Sequence, residues 1–334
     1  MDFLWQFEIG VNLFLQSLGE WLILPMKLLS FLGKEEFFTI IMPFLYWCVD
    51  ARLGLRVSVM LLLSNGFNNI LKQTFRTPRP FWYDHRVLPL AVETSFGLPS
   101  GHAQISSSVW GLLAFKIKKR AVSIIVWTIV FLIGFSRVYL GVHFTSDVII
   151  GWLSGITLMI LFIRWEKGVI AWFAVQPFSK QLGLSVLCSF VLLSLMVLPV
   201  LFEPTWNIPA DWIVNASRAI PPADFTPLDV SGAFTTAGTF LGMTTGVILL
   251  RRRYQIFDTS GSLKIKSLRY LVGIIGMLAF WYGLGQLFPR TDDFLGFGLR
   301  FLRYALVGLW IAYLAPVLFF KMGLLSRAIK PSER

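Results

Sequence analysis

Apolar runs of the length that crosses a bilayer recur along this chain, and no other feature restricts its fold as strongly. They lie at about 36–50, 54–72, 103–117, 120–140, 143–164, 183–202, 229–250, 268–288 and 299–320, several of them close to the roughly 20 residues that a membrane helix requires. Hydrocarbon offers no partner to backbone N–H and C=O groups, so such runs must satisfy them internally as helices. The sequence therefore predicts an all-α integral membrane protein, a bundle of about nine transmembrane helices. Composition agrees: 56% of residues are hydrophobic, 14% are charged and the mean hydropathy is +0.69, far from a soluble globular domain. Residues 11–33 are apolar but carry Glu20 and Lys27, which suits an interfacial or re-entrant segment, residues 1–34, better than a clean span.

The net charge is +12. In a soluble chain that would suggest nucleic acid, but here the basic residues gather in alternate connections. Arg52 and Arg56, the cluster Lys116 to Arg120, then Arg164, Lys167 and Lys180, then Arg251 to Arg253 with Lys264, Lys266 and Arg269, and finally Lys321, Arg327, Lys330 and Arg334 all fall on one side. Lysine and arginine concentrate in cytoplasmic loops, so no nucleic-acid partner is expected. The stretch 73–102 and the corner 137–143 are then expected to face outward. Cys48 and Cys188 both lie in apolar runs, which gives no indication of a disulfide framework. The start, MDFLWQFEIG, lacks the basic beginning of a cleavable signal peptide.

Beyond about residue 165 the runs carry few ionisable residues at their centres, which argues against an ion pathway there. Gly238, Gly242 and Gly246 repeat at i+4, as do Ala279 and Gly283. Small-residue faces of this kind let helices approach closely, and they are read as packing within the chain, with a homo-oligomer left open. The loop 203–228, rich in proline and with two tryptophans, reads as an external cap or aromatic anchor. The sequon Asn215-Ala216-Ser217 is read as a chance match.

Three short stretches on the expected outer side carry chemistry. In Ser136 to Asp147 (SRVYLGVHFTSD), His143 and Asp147 are four apart, a spacing that stacks them on one helical face. A carboxylate on an imidazole fixes its tautomer and raises its basicity. Lys72 to Pro80 (KQTFRTPRP) places Lys72 and Arg79 at the end of a run. Pro99-Ser100-Gly101-His102 immediately precedes another run, where free N–H groups of a helix start make an anion site. Singly, each has a bland explanation: an interfacial cation, a helix cap, a structural ion pair. Together, Lys72, Arg79 and Arg137 supply three cations, Ser100 and Gly101 supply donors, and two histidines accompany them. That inventory suits a tetrahedral, highly charged oxyanion. His143 could attack phosphorus and His102 could protonate the leaving oxygen. No metal ligands and no cofactor motif accompany these residues, so the protein's cations would stabilise the transition state. His85, between Asp84 and Arg86, is read as surface or lid.

The elements Lys72-x6-Arg79-Pro80, Pro99-Ser100-Gly101-His102 and Ser136-Arg137-x5-His143-x3-Asp147 resemble the three-part signature of the type 2 phosphatidic acid phosphatase superfamily. The resemblance covers roughly residues 35–165, a phosphatase core between the N-terminal segment and accessory C-terminal helices at 166–334. It implies a metal-independent phosphatase with a phosphohistidine intermediate, with His143 as nucleophile, Asp147 as its partner, His102 as general acid, and Lys72, Arg79, Ser100, Gly101 and Arg137 around the phosphate. FFTIIMPFLYWCVD (37–50) and LPSGHAQ (98–104) are more weakly similar to the sphingosine-phosphate phosphatase branch and its bacterial relatives. The expected substrate is a lipid phosphate monoester or a polyprenyl diphosphate. The expected setting is a bacterial plasma membrane, with the active site facing the periplasm or exterior. Phosphoryl transfer to an alcohol, or transport or flipping of lipid phosphates, are the alternatives.

Overall fold

The computed structural model describes residues 2–203, 206–218, 225–254 and 257–327. Asp224 in the expected cap, and Lys330 and Arg334 in the C-terminal basic cluster, lie outside the described residues. The chain begins with α1 (Asp2–Ser17) and α2 (Ile23–Phe31), which are bent by 91° about Gly19, a residue with φ of 111°. α3 (Glu35–Phe44) contains Pro43, whose missing N–H interrupts the regular ladder, and it runs on as a π-helical turn at Leu45–Val49. There follow α4 (Ala51–Phe75), α5 (Pro80–Tyr83), α6 (Gly101–Ile117), α7 (Arg120–Tyr139), α8 (Thr145–Ala174), α9 (Phe178–Phe202), α10 (Ala210–Ser217) and α11 (Ser231–Tyr254). α12 (Leu263–Leu278) continues through a π-helical turn into α13 (Leu284–Leu287), and α14 (Phe294–Leu309) continues likewise into α15 (Ala315–Lys321). The β structure among the described residues is one antiparallel pairing of Phe257–Asp258 with Ser326–Arg327.

Among the described residues six helical segments are long and apolar enough to cross a membrane: α7, α8, α9, α11, α12 with α13, and α14 with α15. The bent pair of α1 and α2 would make a seventh, and its 91° angle agrees with a broken or re-entrant segment. By length and composition the expected count of about nine is not confirmed. α3 has 10 residues before its π-helical turn and α6 has 17. α4 carries Arg52, Arg56, Lys72 and several amides. α6 has little need of apolarity on all sides, because most of it is buried in protein.

The chain divides into two compact units. The first comprises Met1–Phe38, Leu63–Arg164 and Met196–Asp229, and the second Thr39–Leu62, Trp165–Leu195 and Val230–Arg334. In the first, Trp82, Phe96, Tyr139 and Phe144 are fully buried beneath the loops that join the helices. Trp212 packs tilted on Trp82 and Trp206 edge-on to Phe96, with ring centroids 6.2 and 5.6 Å apart, and Asn215 donates to the Trp82 carbonyl at 3.0 Å. The described part of 203–228 is thus a cap on the 80–96 segment.

In the second unit, α11 lies against α14. A side chain at Gly238 or Gly242 would collide with the carbonyls of Phe301 or Ala305, so this glycine stripe packs within the chain, as close backbone approach requires. The second pair behaves differently. Gly283 faces open space and Ala279 is exposed. α12 instead uses Gly273 and Gly276, which receive the rings of Trp47 and Trp310. Arg269 is buried, and donates to the carbonyls of Trp47 and Leu324 at 2.7 Å and of Thr259 and Ser260 at 3.1 Å.

Candidate active site

The three stretches singled out in the sequence meet in the first unit. α4 delivers Lys72 in its last turn. The chain then leaves the helix, and Pro80 at the first position of α5 sets the extended Arg79 just before it. α7 delivers Arg137, and a turn through Gly141, with φ of 71°, reverses the chain into His143 ahead of α8. A left-handed residue here suits glycine, and a side chain would also strike the Leu88 carbonyl. Ser100 is the residue before α6, and its N–H donates to the Asp147 carbonyl at 2.9 Å. That bond ties the second stretch to the third.

Asp147 receives His143 Nδ1 at 3.2 Å and the Phe144 N–H at 3.0 Å on the same oxygen. With Nδ1 protonated toward the carboxylate, the lone pair lies on Nε2. This Nε2 is 3.1 Å from an Arg79 terminal nitrogen. Both His143 and Asp147 are buried. Arg79 donates in addition to the carbonyls of Ser95 at 2.6 Å and Val142 at 2.7 Å, and Lys72 donates to Phe96 at 2.5 Å and to Ser95 Oγ at 3.0 Å. Arg137 is held by Ser30 Oγ. Among the polar atoms in this region that are buried without a hydrogen bond are Ser100 Oγ, His102 Nε2 and Arg137 Nε. Unsatisfied buried polar atoms are costly, and their convergence beside three cations is the arrangement an oxyanion would complete. Gly101, at the first position of α6, sits over Asn68, whose amide bridges the Pro99 carbonyl at 3.2 Å and Gln104 Oε1 at 3.0 Å.

Two contributions were missed in the sequence. One is Glu93, whose two carboxylate oxygens reach Arg79, at 3.2 Å, and Arg137, with His102 Nδ1 4.0 Å away. Burial would raise its pKa, but the charges of Arg79 and Arg137, then His102 and Lys72, outweigh that and hold the carboxyl well below the usual range. A glutamate in a loop of irregular composition gives no local signal.

The other is α1. Asn12 donates to the carbonyls of Val138 at 2.7 Å and His143 at 3.3 Å. Glu8 accepts from the N–H and hydroxyl of Ser146 at 2.7 and 2.9 Å, and Gln16 donates to Leu88 and Tyr139 carbonyls at 2.7 and 3.2 Å. Glu8, Asn12 and Gln16 recur every fourth residue, so they share one helical face. That polar stripe was legible in an otherwise apolar stretch. His85, read as surface or lid, stays outside the cluster in an exposed turn.

The PAP2 superfamily profile matches residues 53–171, and the profile described as PAP2 superfamily phosphatase, transmembrane extension, matches 234–328. The C-terminal helices therefore have a counterpart in the superfamily, where the resemblance of the core motifs implied little about them. The chain is 34% identical to the probable sphingosine-1-phosphate phosphatase of Dictyostelium discoideum over 39% of this chain and 35% of that protein. It is 36% identical to phosphatidylglycerophosphatase B of Bacillus subtilis (strain 168) over 32% of this chain and 55% of that protein. It is 26% identical to glucose-6-phosphatase 3 of Bos taurus over 90% of this chain and 91% of that protein. The chain thus spans about a third to about half the length of the first two relatives. The chain thus carries a PAP2 superfamily domain at 53–171 together with the transmembrane extension of PAP2 superfamily phosphatases at 234–328.

Proposed function

We propose that this protein is a membrane phosphatase that hydrolyses a lipid phosphate monoester or a polyprenyl diphosphate through a phosphohistidine, its own cations carrying the developing charge. The observation that carries this reading is that Arg79 meets Nε2 of a histidine whose Nδ1 is bound to Asp147, with Lys72 joined to Arg79 through Ser95 Oγ and Arg137 through Glu93. In the first step, His143 Nε2 attacks phosphorus in line, and the bond from phosphorus to the substrate oxygen breaks. His102 gives its proton to that oxygen. In the second step, His102 takes a proton from water, whose oxygen displaces His143 from phosphorus and releases inorganic phosphate. Arg79 and Arg137 grip equatorial oxygens, Lys72 adds a point charge, and the Ser100 hydroxyl and Gly101 N–H complete the cage.

The lipid substrate follows from the membrane setting and from the names of the first two relatives, and the outer-face location from the distribution of lysine and arginine. The extent of the likeness to glucose-6-phosphatase 3, 90% of this chain, supports a second reading in which a soluble sugar phosphate enters the same cage. Release of inorganic phosphate by the purified protein, from a panel of lipid phosphates, a polyprenyl diphosphate and glucose 6-phosphate, separates the two. Turnover should survive chelation and be blocked by vanadate. The assignment of the nucleophile fails if a folded His143→Ala protein turns over near the wild-type rate.

A further inference from the structure

We propose that the second unit carries an anion site of its own, for a phosphate-bearing headgroup. A cavity of about 310 Å³ opens where residues 288–293 join α13 to α14, at the end of two membrane-crossing segments, and three arginines line it. Arg300 and Arg303 are three apart on α14 and so share a face, while Arg290 reaches in from the loop. A Cβ at Gly285 would lie 2.6 Å from Arg303 Nη1 and 3.9 Å from Arg290 Nη2, so two guanidiniums meet over a residue whose missing side chain admits them.

Their protein partners are neutral. Arg290 donates to the Gly285 carbonyl at 3.2 and 3.3 Å, and Arg300 Nε to Thr235 Oγ1 at 2.9 Å. Among the described residues Arg303 makes no hydrogen bond, and its Nε is buried without a partner. The neighbouring acids leave the charge unbalanced. Asp293 is occupied capping α14, accepting from the Gly296 N–H at 2.7 Å and Thr291 Oγ1 at 2.8 Å. Asp292 lines the cavity and forms no ion pair with the three among the described residues. Like charges gathered this closely repel, and an anion removes the cost. The Tyr304 ring lies 4.8 Å from the Arg303 guanidinium and 5.9 Å from that of Arg300, and Trp281 Nε1 fixes its hydroxyl at 3.1 Å. Stacked on a fixed ring, the guanidiniums keep their N–H edges for a tetrahedral oxyanion.

The test is thermal unfolding of the full-length protein in detergent, in the His143→Ala background, titrated with dihexanoyl phosphatidylglycerol, dihexanoyl phosphatidylcholine or inorganic phosphate. Phosphatidylglycerol should raise the midpoint saturably and phosphatidylcholine should not. The titration should shift about tenfold to higher concentration when Arg300→Gln and Arg303→Gln are combined. A rise with phosphatidylglycerol alone identifies a lipid headgroup, and an equal rise with inorganic phosphate identifies a soluble anion. Curves that overlay those of the parent, or no rise with either anion, overturn the proposal. Should the double variant not fold, the exposed Arg290→Gln is expected to shift the titration about threefold, and an overlay there is equally fatal.

A second inference rests on the proposed function. The geometry points to Glu93 as an internal competitor for the phosphate: it spans the two guanidiniums a substrate must bind. Each guanidinium already has an N–H edge on the Glu93 carboxylate, so a phosphate that grips both must take the donors Glu93 now holds. Apparent affinity then falls with the fraction of molecules whose site is open. In Glu93→Gln, KM for a lipid phosphate monoester and the inhibition constant of vanadate should fall together, about tenfold. Glu93→Asp keeps the charge but shortens the reach, and should lie between; it serves if the first variant does not fold. Unchanged or higher constants overturn the inference. Wild-type protein that releases no phosphate sinks the phosphatase reading instead, and vanadate binding measured by thermal shift still decides the role of Glu93.

Discussion

Two buried arginine settings, one in each unit, show how the same side chain serves different ends. Arg269 in the second unit donates to four backbone carbonyls, from Trp47, Thr259, Ser260 and Leu324. None of these acceptors can leave, so the guanidinium is a tie between chain segments. Arg137 in the first unit is held by two side chains, Ser30 and Glu93. Both arginines have a buried, unpaired Nε, so the difference lies in the partners: backbone carbonyls are fixed, whereas a carboxylate on a loop is replaceable. The difference separates an arginine that secures a fold from one that can receive a ligand.

The contrast is sharpest in the first unit, where loss of chemistry and loss of structure should come apart. His143→Ala should lower phosphate release by about 10⁴-fold or more without lowering the unfolding midpoint; comparable loss of both would make the residue structural. Arg269→Ala should do the reverse. It strips four carbonyls of their donor, which costs about 3 kcal/mol or more, read as a lower unfolding midpoint, with turnover per folded molecule retained. Asn12→Ala should fall between them. Asn12 donates to the backbone carbonyls of Val138 and His143, which makes it a positioning residue for the proposed nucleophile, and a shift of the reacting group costs up to about 10²-fold in rate. The loss should appear in kcat more than in KM.

The smallest effect concerns pH. Because Glu93 is held below the usual carboxylate range in the folded protein, its pairing contributes stability that is complete above the ordinary glutamate pKa of about 4.3. That contribution is lost as pH falls through the lower folded value. The midpoint of wild type above that of Glu93→Gln should therefore be constant from pH 7 to pH 5 and shrink below about pH 4. A difference that widens in acid would mean that Glu93 is not paired as an anion.

Much of this molecule could be read before it was folded, because two kinds of signal are local. Apolar length announces membrane helices, and it did so for α7, α8 and α9. It is a weaker signal for α4 and α6, whose apolar runs are interrupted by Arg56, Lys72 and the Ser106 to Ser108 triplet, groups that are partnered within protein. Spacing along one helix placed His143 against Asp147, since four residues make about one turn. The stripe Glu8, Asn12 and Gln16 was present in the same sense, but nothing local says which surface such a stripe will meet.

The sequence by itself determined the helical membrane class, the i+4 glycine face of α11, the His143 and Asp147 pair and the set of cations available to an oxyanion. Each depends on residues within a turn or two of one another. Only the tertiary structure decided that Glu93 occupies the two guanidiniums, that α1 braces the 138–146 turn, that Gly273 and Gly276 rather than Ala279 and Gly283 admit the tryptophans, and that Arg290, Arg300 and Arg303 share a cavity. These depend on contacts between residues distant in the chain, and such contacts are selected by packing and by the need to partner buried polar groups, neither of which has a period that a sequence displays.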